Sequence, residues 1–447
     1  MNQTGYLKEF VKYAALNVLG MLGLSCYILA DTFFVANGLG ADGLAALNLA
    51  IPIYSFVHGS GFMLGMGGAT RYSILKAHGE QETVDRLFTG TLRMAVLLAL
   101  IYVFIGLTSA HWIAGKMGGE GQVLTMAATY LRVILLFAPA FMLNDVFICF
   151  VRNDGDPRLS MLAMLGGSLL NIVLDYVFIF PFGMGIFGAV LATGLAPVFS
   201  LCVLSLHRVR RRNGFHLSRR GCGLKAAGTV VSLGVPSLVA EVSSGVVIIV
   251  FNTIILGIHG NVGVAAYGVI ANLSLVATAV YTGIAQGSQP LFSRAYGQGD
   301  VPGLKRTLFY GITAVGIVSA ALYAGVFLFA GEITAVFNSE GSGALQSLAV
   351  PGLKLYFLAV FFVGFNLLSA MYFAATEKAR PAQIISVARG LVVIIPMAFF
   401  LSSVWGMNGV WLSYPVTEAL VFAAAAFMLA SRRRERPSRA ASGETRS

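Results

Sequence analysis

Charged side chains are scarce in this chain. Asp, Glu, Lys and Arg make up 11% of 447 residues, against 57% for the hydrophobic types. A soluble domain carries about 25% charge, so a water-solvated fold is excluded. Cysteine is sparse as well. Cys26, Cys149, Cys202 and Cys222 have neither metal-site nor disulfide spacing, and they are expected to be packing residues. The six histidines, His58, His78, His111, His207, His216 and His259, are scattered, with no partner at helical spacing. No cluster of His or carboxylates stands at a membrane surface, so an integral-membrane enzyme is disfavoured and neither a cofactor nor a resident metal is expected.

Long apolar runs fill the space that charge leaves. Mean hydropathy is +0.80, and runs of about 20 residues, each long enough to cross hydrocarbon as a helix, follow one another with short breaks. The pattern predicts an all-α integral membrane protein with twelve spans: 15–37, 44–72, 87–109, 124–150, 158–181, 184–206, 233–257, 264–292, 306–330, 344–375, 381–403 and 408–431. Spans two, eight and ten exceed the bilayer's need and are expected to tilt or to project into the cytoplasm. The first run is too long for a signal peptide, carries Asp31 and has no small-residue cleavage site, so it is read as an uncleaved helix.

Basic residues outnumber acidic ones by 30 to 19, and they are not spread evenly. Arg208, Arg210, Arg211, Arg212, Arg219, Arg220 and Lys225 crowd the central linker, and Arg432, Arg433 and Arg434 open the tail. Lys8, Lys12, Lys76, Arg86, Arg152, Arg158, Lys305, Arg306, Lys378 and Arg380 lie at the other turns on that side. The opposite turns hold Asp42, Glu120, Glu332 and Glu340, with Lys116 the clear cation. Positive turns stay in the cytoplasm, which puts both termini and the linker inside a plasma-membrane protein. This bias explains the net charge of +11. Contact with anionic lipid headgroups is its natural use, and nucleic-acid binding is not required.

The chain is also written twice. At an offset of 220, Gly40, Gly43, Ala45, Ala46, Gly67, Ser73 and Gly79 recur as Gly260, Gly263, Ala265, Ala266, Gly287, Ser293 and Gly299. Leu131 and Asn144 recur as Leu353 and Asn366 at 222, and Pro157, Gly166, Gly185 and Thr193 as Pro381, Gly390, Gly409 and Thr417 at 224. The drift in offset marks small loop insertions. An even number of spans separates equivalent points, so two parallel six-helix bundles related by internal duplication are expected. Their boundaries are an N-terminal lobe 1–206, a basic linker 207–225, a C-terminal lobe 226–431 and a basic tail 432–447. Two similar lobes that rock about a site between them are the plan of a carrier; the unequal polar content of the halves disfavours a channel.

The polar residues that the duplication does not copy mark the candidate site. Asp31 falls opposite Phe251, Asn171 opposite Ile395 and Asp175 opposite Phe399. An ionisable group in hydrocarbon is costly and needs a bundle interior, a partner or a task. Asp31 and Asp175 each lie about 16 residues, or roughly 24 Å, into outward-running spans, and Thr193 returns to a similar level. Asn171 precedes Asp175 by one helical turn and shares its face. Two carboxylates, an amide and a hydroxyl at one depth suit a proton pair or a sodium ion. The plainer reading makes Asp31 and Asp175 helix-bridging groups; their shared depth and their absence from the other lobe favour the functional one.

Three segments, LADTFFVANGLGADGLAALNLAIP, NIVLDYVFIFPFGMGIFGAVLATGLA and GIAQGSQPLFSRAYGQGD, resemble the multidrug and toxic compound extrusion (MATE) transporters, the third resembling a bacterial multidrug-efflux branch. The resemblance covers nearly the whole chain. It implies two six-helix bundles that export amphipathic, often cationic compounds in exchange for protons or sodium ions. It implies an ion site at Asp31, Asn171, Asp175 and Thr193, the residues that depth selects. It also places an acid at Glu241 in span seven. The acid that some members carry in span ten is absent, with Asn366 the nearest polar residue.

Arg389 lies at the depth of Glu241, and two readings stand: an ion pair between them, or a direct role in substrate binding. Asn144 and Asp145 are expected to line the N-terminal lobe; Lys354 and Glu418 are left unassigned. Pro52, Pro236, Pro290 and Pro396 are expected bending points. The expected partners are small amphipathic substrates and the bilayer, with the chain working as a monomer. The proton is preferred as coupling ion, because it needs only a carboxyl pair whereas sodium needs five or six oxygens. The alternative function is a lipid-linked saccharide flippase of the same broader superfamily, which would show a strongly cationic central cavity.

Overall fold

Three glycines turn three very long helical stretches into hairpins. In the computed structural model, which describes residues 3–338 and 342–433, one helical stretch runs over Gln3–Ala77 and another over Leu224–Gly297. A straight helix of that length would reach about 110 Å, several times the bilayer. The chain instead reverses at Gly40 (φ 67°, ψ −157°) and at its duplicate Gly260 (φ 60°, ψ −151°), a region in which a Cβ is disfavoured. The reversals are visible in side-chain contacts. The hydroxyls of Tyr27 and Tyr54 meet at 3.0 Å, and the rings of Phe251 and Tyr267 stack at 5.4 Å. Gly406 (φ 55°) does the same within Ile394–Arg433, where Ser413 donates to the Met397 carbonyl at 3.5 Å.

The twelve spans follow. Spans one and two are 3–39 and 41–77, span three is Gln81–Lys116, and span four is the bent pair Gly121–Leu136 and Ala138–Asn153. Spans five and six are Pro157–Ile179 and Gly185–Val209. Spans seven and eight are 224–259 and 261–297, span nine is Val301–Phe337, span ten is Gly343–Ala375, and spans eleven and twelve are 379–405 and 407–433. No strand occurs among the described residues. The protein is an all-α, multi-pass membrane protein. Glu340, Arg434 and the remainder of the tail to residue 447 lie outside the described residues.

Of the four prolines expected to bend their spans, three do not interrupt the helix and one lies beside a distortion. Helical backbone runs unbroken through Pro52, Pro236 and Pro290. Span four bends by 49° at Phe137, just before Pro139, and span ten tightens into a 3-10 turn at Phe357–Ala359. Span eleven widens into a π-turn at Ala388–Val392, one turn ahead of Pro396. A proline clashes with the carbonyl four residues before it, so the distortion appears N-terminal to the ring.

Two apolar cores form, one around Leu131, Phe150, Leu159 and Val190, the other around Phe251, Tyr281, Leu353 and Trp411. The lobes trade ends at the face that carries the termini. Phe10, Tyr13 and Ala14 of span one join the second core, and Val230 of span seven joins the first. Gly67 and Gly287, duplicates of one another, make this crossing close. A Cβ on Gly67 would strike the Val230 carbonyl, and one on Gly287 would lie 2.7 Å from the Tyr13 carbonyl.

Polar contacts seal the same seam. Asn17 donates to the Gly283 carbonyl at 3.1 Å, Asn153 to Gln289 at 2.9 Å, and Gln289 to Thr70 at 3.0 Å. Arg152 was expected at a basic turn but is fully buried in the seam, donating to Asn17 at 2.8 Å and Gln286 at 3.2 Å. Among the described residues, no side-chain hydrogen bond joins the lobes at the opposite end.

Candidate functional site

Asp31 of span one, Asn171 and Asp175 of span five and Thr193 of span six converge inside the first lobe, and all four are buried. The two carboxyl groups lie within hydrogen-bonding reach of each other. In the amide orientation that satisfies both of its ends, the Asn171 nitrogen donates to Asp175 Oδ2 at 3.1 Å and its oxygen accepts from the Thr193 N–H at 3.2 Å. The Thr193 hydroxyl donates to the Ala189 carbonyl at 3.1 Å, and the buried Tyr130 hydroxyl reaches it as well. Tyr130 is a member of this centre that the sequence reading missed; a lone aromatic in an apolar span gives no signal. Among the described residues neither carboxyl has a Lys, Arg or His beside it. Burying charge is costly unless it is matched, and no cationic side chain among the described residues matches this pair.

The second lobe treats its buried carboxylate in the opposite way. Glu418 of span twelve accepts from Arg389 Nη2 at 2.7 Å and Nε at 3.1 Å, and from Asn366 Nδ2 at 2.7 Å. Arg389 stands on the π-turn of span eleven, and its side chain reaches Glu418 on span twelve. The expected Glu241–Arg389 pairing is therefore incorrect: Arg389 is taken by Glu418, a fork-shaped match with a second oxygen held by the amide. Asn366 is a structural ligand of that pair.

Glu241 instead faces the first lobe. Its Cβ lies 3.1 Å from the position of a Cβ on Gly59, and its charge is within reach of His58 and Asp145. His58 Nδ1 lies 3.1 Å from Asp145 Oδ2, with both residues buried. The pair joins spans two and four, and the separation of 87 positions hid it from any helical-spacing search. A small cavity of about 60 Å³ is lined by Tyr27, Tyr54, His58, Asn144, Asp145 and Thr193 among others. Asn144 and Asp145 thus line the first lobe as expected. Cys26 and Cys202 are exposed, not packed; all four cysteines are free.

A second polar centre lies where span four leaves the membrane. Asp154 accepts from Tyr72 at 2.5 Å, from the Gly214 N–H at 2.6 Å and from Lys76, and pairs with His207 at 2.8 Å. Burial pushes this carboxyl up, but His207, Lys76, Tyr72 and Gly214 together outweigh it and hold it below the usual carboxylate range. The linker is strapped to the first lobe at further points: the His216 N–H donates to Asp85 at 2.8 Å and the Ser218 N–H to Thr89 at 2.8 Å.

With this geometry, the comparisons with known proteins are decisive on one point. Residues 18–177 and 236–400 match the MatE family. The chain belongs to it. The multidrug export protein MepA of Staphylococcus saprophyticus subsp. saprophyticus is 25% identical over 427 residues, covering 95% of this chain and 93% of that protein. MepA of Staphylococcus aureus is 24% identical over 420 residues, 94% and 92% of the two chains. A solved structure described as the outward-facing conformation of a multidrug resistance MATE family transporter of the MOP superfamily superposes with a TM-score of 0.89. It is 23% identical and covers 96% of this chain and 97% of that one. The resemblance carried by the three motif segments is thus borne out for MatE membership and for the two-bundle fold.

Proposed function

We propose that this chain is a plasma-membrane antiporter that exports amphipathic, often cationic compounds in exchange for protons, with both termini and the linker in the cytoplasm. The observation that carries this reading is the contact between Asp31 and Asp175, buried and without a cationic partner. Two carboxyls at that separation share a proton more readily than they hold two charges. Drug and proton favour different states of the same bundle, and that difference is the coupling. The transported ion is cargo and no cofactor is needed; both rocking lobes lie in one chain, so a monomer suffices. The relatives named as multidrug export proteins support the substrate class. A flippase for anionic saccharide lipids is less well supported. Arg389 is neutralised by Glu418, Arg152 is closed inside the seam, and Lys354 Nζ sits 4.7 Å over the Phe327 ring.

The deciding experiment is dye efflux from reconstituted vesicles under separate proton and sodium gradients. Asp31→Asn and Asp175→Asn are expected to insert normally and to lose coupled efflux. Wild-type rates in both variants would reject the site. Strict sodium dependence at constant pH would make sodium the ion, held by Asp31, Asn171, Asp175 and Thr193. Glu241→Gln is expected to narrow the range of cationic substrates more than it changes ion dependence.

A further inference from the structure

One other set of ionisable side chains is buried in the first lobe without being used up by structure. His58 and Asp145 are 3.1 Å apart, and Glu241 approaches them from the other lobe. The remaining buried acid of the membrane interior, Glu418, is locked to Arg389 and Asn366. Asp145 by contrast has no Lys or Arg beside it among the described residues.

The pair is held in place with care. The Tyr54 ring stacks on the His58 ring at 5.6 Å, and Phe62 meets its edge at 4.8 Å. A Cβ on Gly61 would lie 2.5 Å from Asp145 Oδ2, so span two runs directly over the carboxyl. The groups facing the pair are Tyr54 on its own span, Tyr27 on span one, Asn144 on span four and Glu241 on span seven.

One cavity touches both this pair and a residue of the coupling centre. The lining of the cavity of about 60 Å³ includes His58 and Asp145 and also Thr193, which belongs to the Asp31–Asp175 centre. At about 30 Å³ per molecule it has room for roughly two waters. Ser200 Oγ and Asn144 Oδ1, both on its lining, are buried with no hydrogen-bond partner, which makes the space polar enough to hold them.

Charge balance gives such a pair a task. Moving a monovalent cation out against an inside-negative potential costs about 2.3 kcal/mol per 100 mV, and one inbound proton returns the same amount. One-for-one exchange is therefore driven by the pH difference alone. A second proton makes the potential usable.

We propose that His58 and Asp145 carry a second proton in each transport cycle, loaded through the cavity whose lining they share with Thr193. The proton resides on the imidazole or the carboxyl. When it crosses, the Nδ1–H bond breaks, an Oδ2–H bond forms, and the ion pair becomes a neutral pair. No other reactant is involved. The proposal rests on the antiport reading above, and its test separates the two.

The test uses ethidium, a monovalent cationic dye, with the full chain in proteoliposomes and in detergent. Wild type is expected to drive efflux with a membrane potential alone and to release about two protons per ethidium bound. The double variant His58→Gln/Asp145→Asn replaces the pair by a neutral hydrogen-bonding pair of the same shape, so no buried charge is stranded. It is expected to keep pH-driven efflux, to lose the potential-driven component, and to release about half as many protons. Asp145→Asn alone should show the same loss. Wild-type voltage dependence and proton count in the double variant would overturn the proposal, as would an electroneutral wild type. Retention of coupled efflux by Asp31→Asn and Asp175→Asn would instead reject the underlying antiport site.

Discussion

A buried carboxylate in this protein is either matched or left unmatched, and the difference assigns its role. Glu418 has a guanidinium and an amide on its two oxygens, so it is a packing element made of charge. Glu418→Gln would leave Arg389 buried without a counter-charge, a loss of about 3–5 kcal/mol. We expect a lower unfolding temperature in detergent and poor accumulation in the membrane, with partial recovery when Arg389→Met is added. Asp31→Asn should leave the unfolding temperature near wild type, because it removes no charge partner. Equal destabilisation by both would show that Asp31 is structural as well. The sequence carried Asp31, Asn171, Asp175 and Thr193 plainly, since helical rise and one-turn spacing fix depth and face without any knowledge of packing. It could not carry Arg389–Glu418 or His58–Asp145. Those contacts depend on which span lies beside which, and in the case of Arg389 on a π-turn that helical periodicity does not reveal.

At the scale of the helices, the duplicated glycines were legible as a repeat but not as a seam. Gly40 and Gly260 turn the hairpins, whereas Gly67 and Gly287 let spans two and eight press on spans seven and one. Gly67→Val should therefore force the seam apart while leaving the lobes folded. The expected result is greater thiol-reagent access to a cysteine placed at Thr70, together with lost efflux; unchanged access would show that the seam does not depend on this approach.

The linker strap offers a second test. Asp154 is held below the usual carboxylate range by its partners, so its stabilising contribution is present above the unfolded value of about 3.9. That contribution is lost as pH falls through its depressed folded value. Limited proteolysis of the linker should be slow at neutral pH and accelerate only in strong acid, whereas Asp154→Asn should cleave readily at neutral pH. A variant as resistant as wild type would mean that Asp85 and Thr89 hold the strap without Asp154.

Over the whole molecule, the seam is tight in shape yet modest in electrostatics. Its only fully buried charge, among the described residues, is Arg152, which donates to neutral oxygens of Asn17 and Gln286 and not to an acid. The ion pairs Arg71–Glu377 and Glu9–Arg294 are part-exposed and sit at the rim, where each contributes up to about 1 kcal/mol. A seam of this kind excludes water while it is closed and does not commit the molecule to staying closed, as a carrier requires. Away from the exchanged ends each lobe has its own core, and the linker's bonds at Asp154, Asp85 and Thr89 all go to the first lobe, so the lobes can rock without tearing the strap. The motion can be stopped to test it. In a chain freed of its four cysteines, Thr70→Cys and Gln289→Cys, whose native side chains meet at 3.0 Å, should be bridged through two reducible disulfides by a short bis-methanethiosulfonate. Bridged transporter should bind dye from the face opposite the termini and fail to move it, and reduction of the bridge should restore transport. Turnover at wild-type rate with the bridge intact would mean that this seam never opens, and that substrate crosses by a route other than rocking of the lobes.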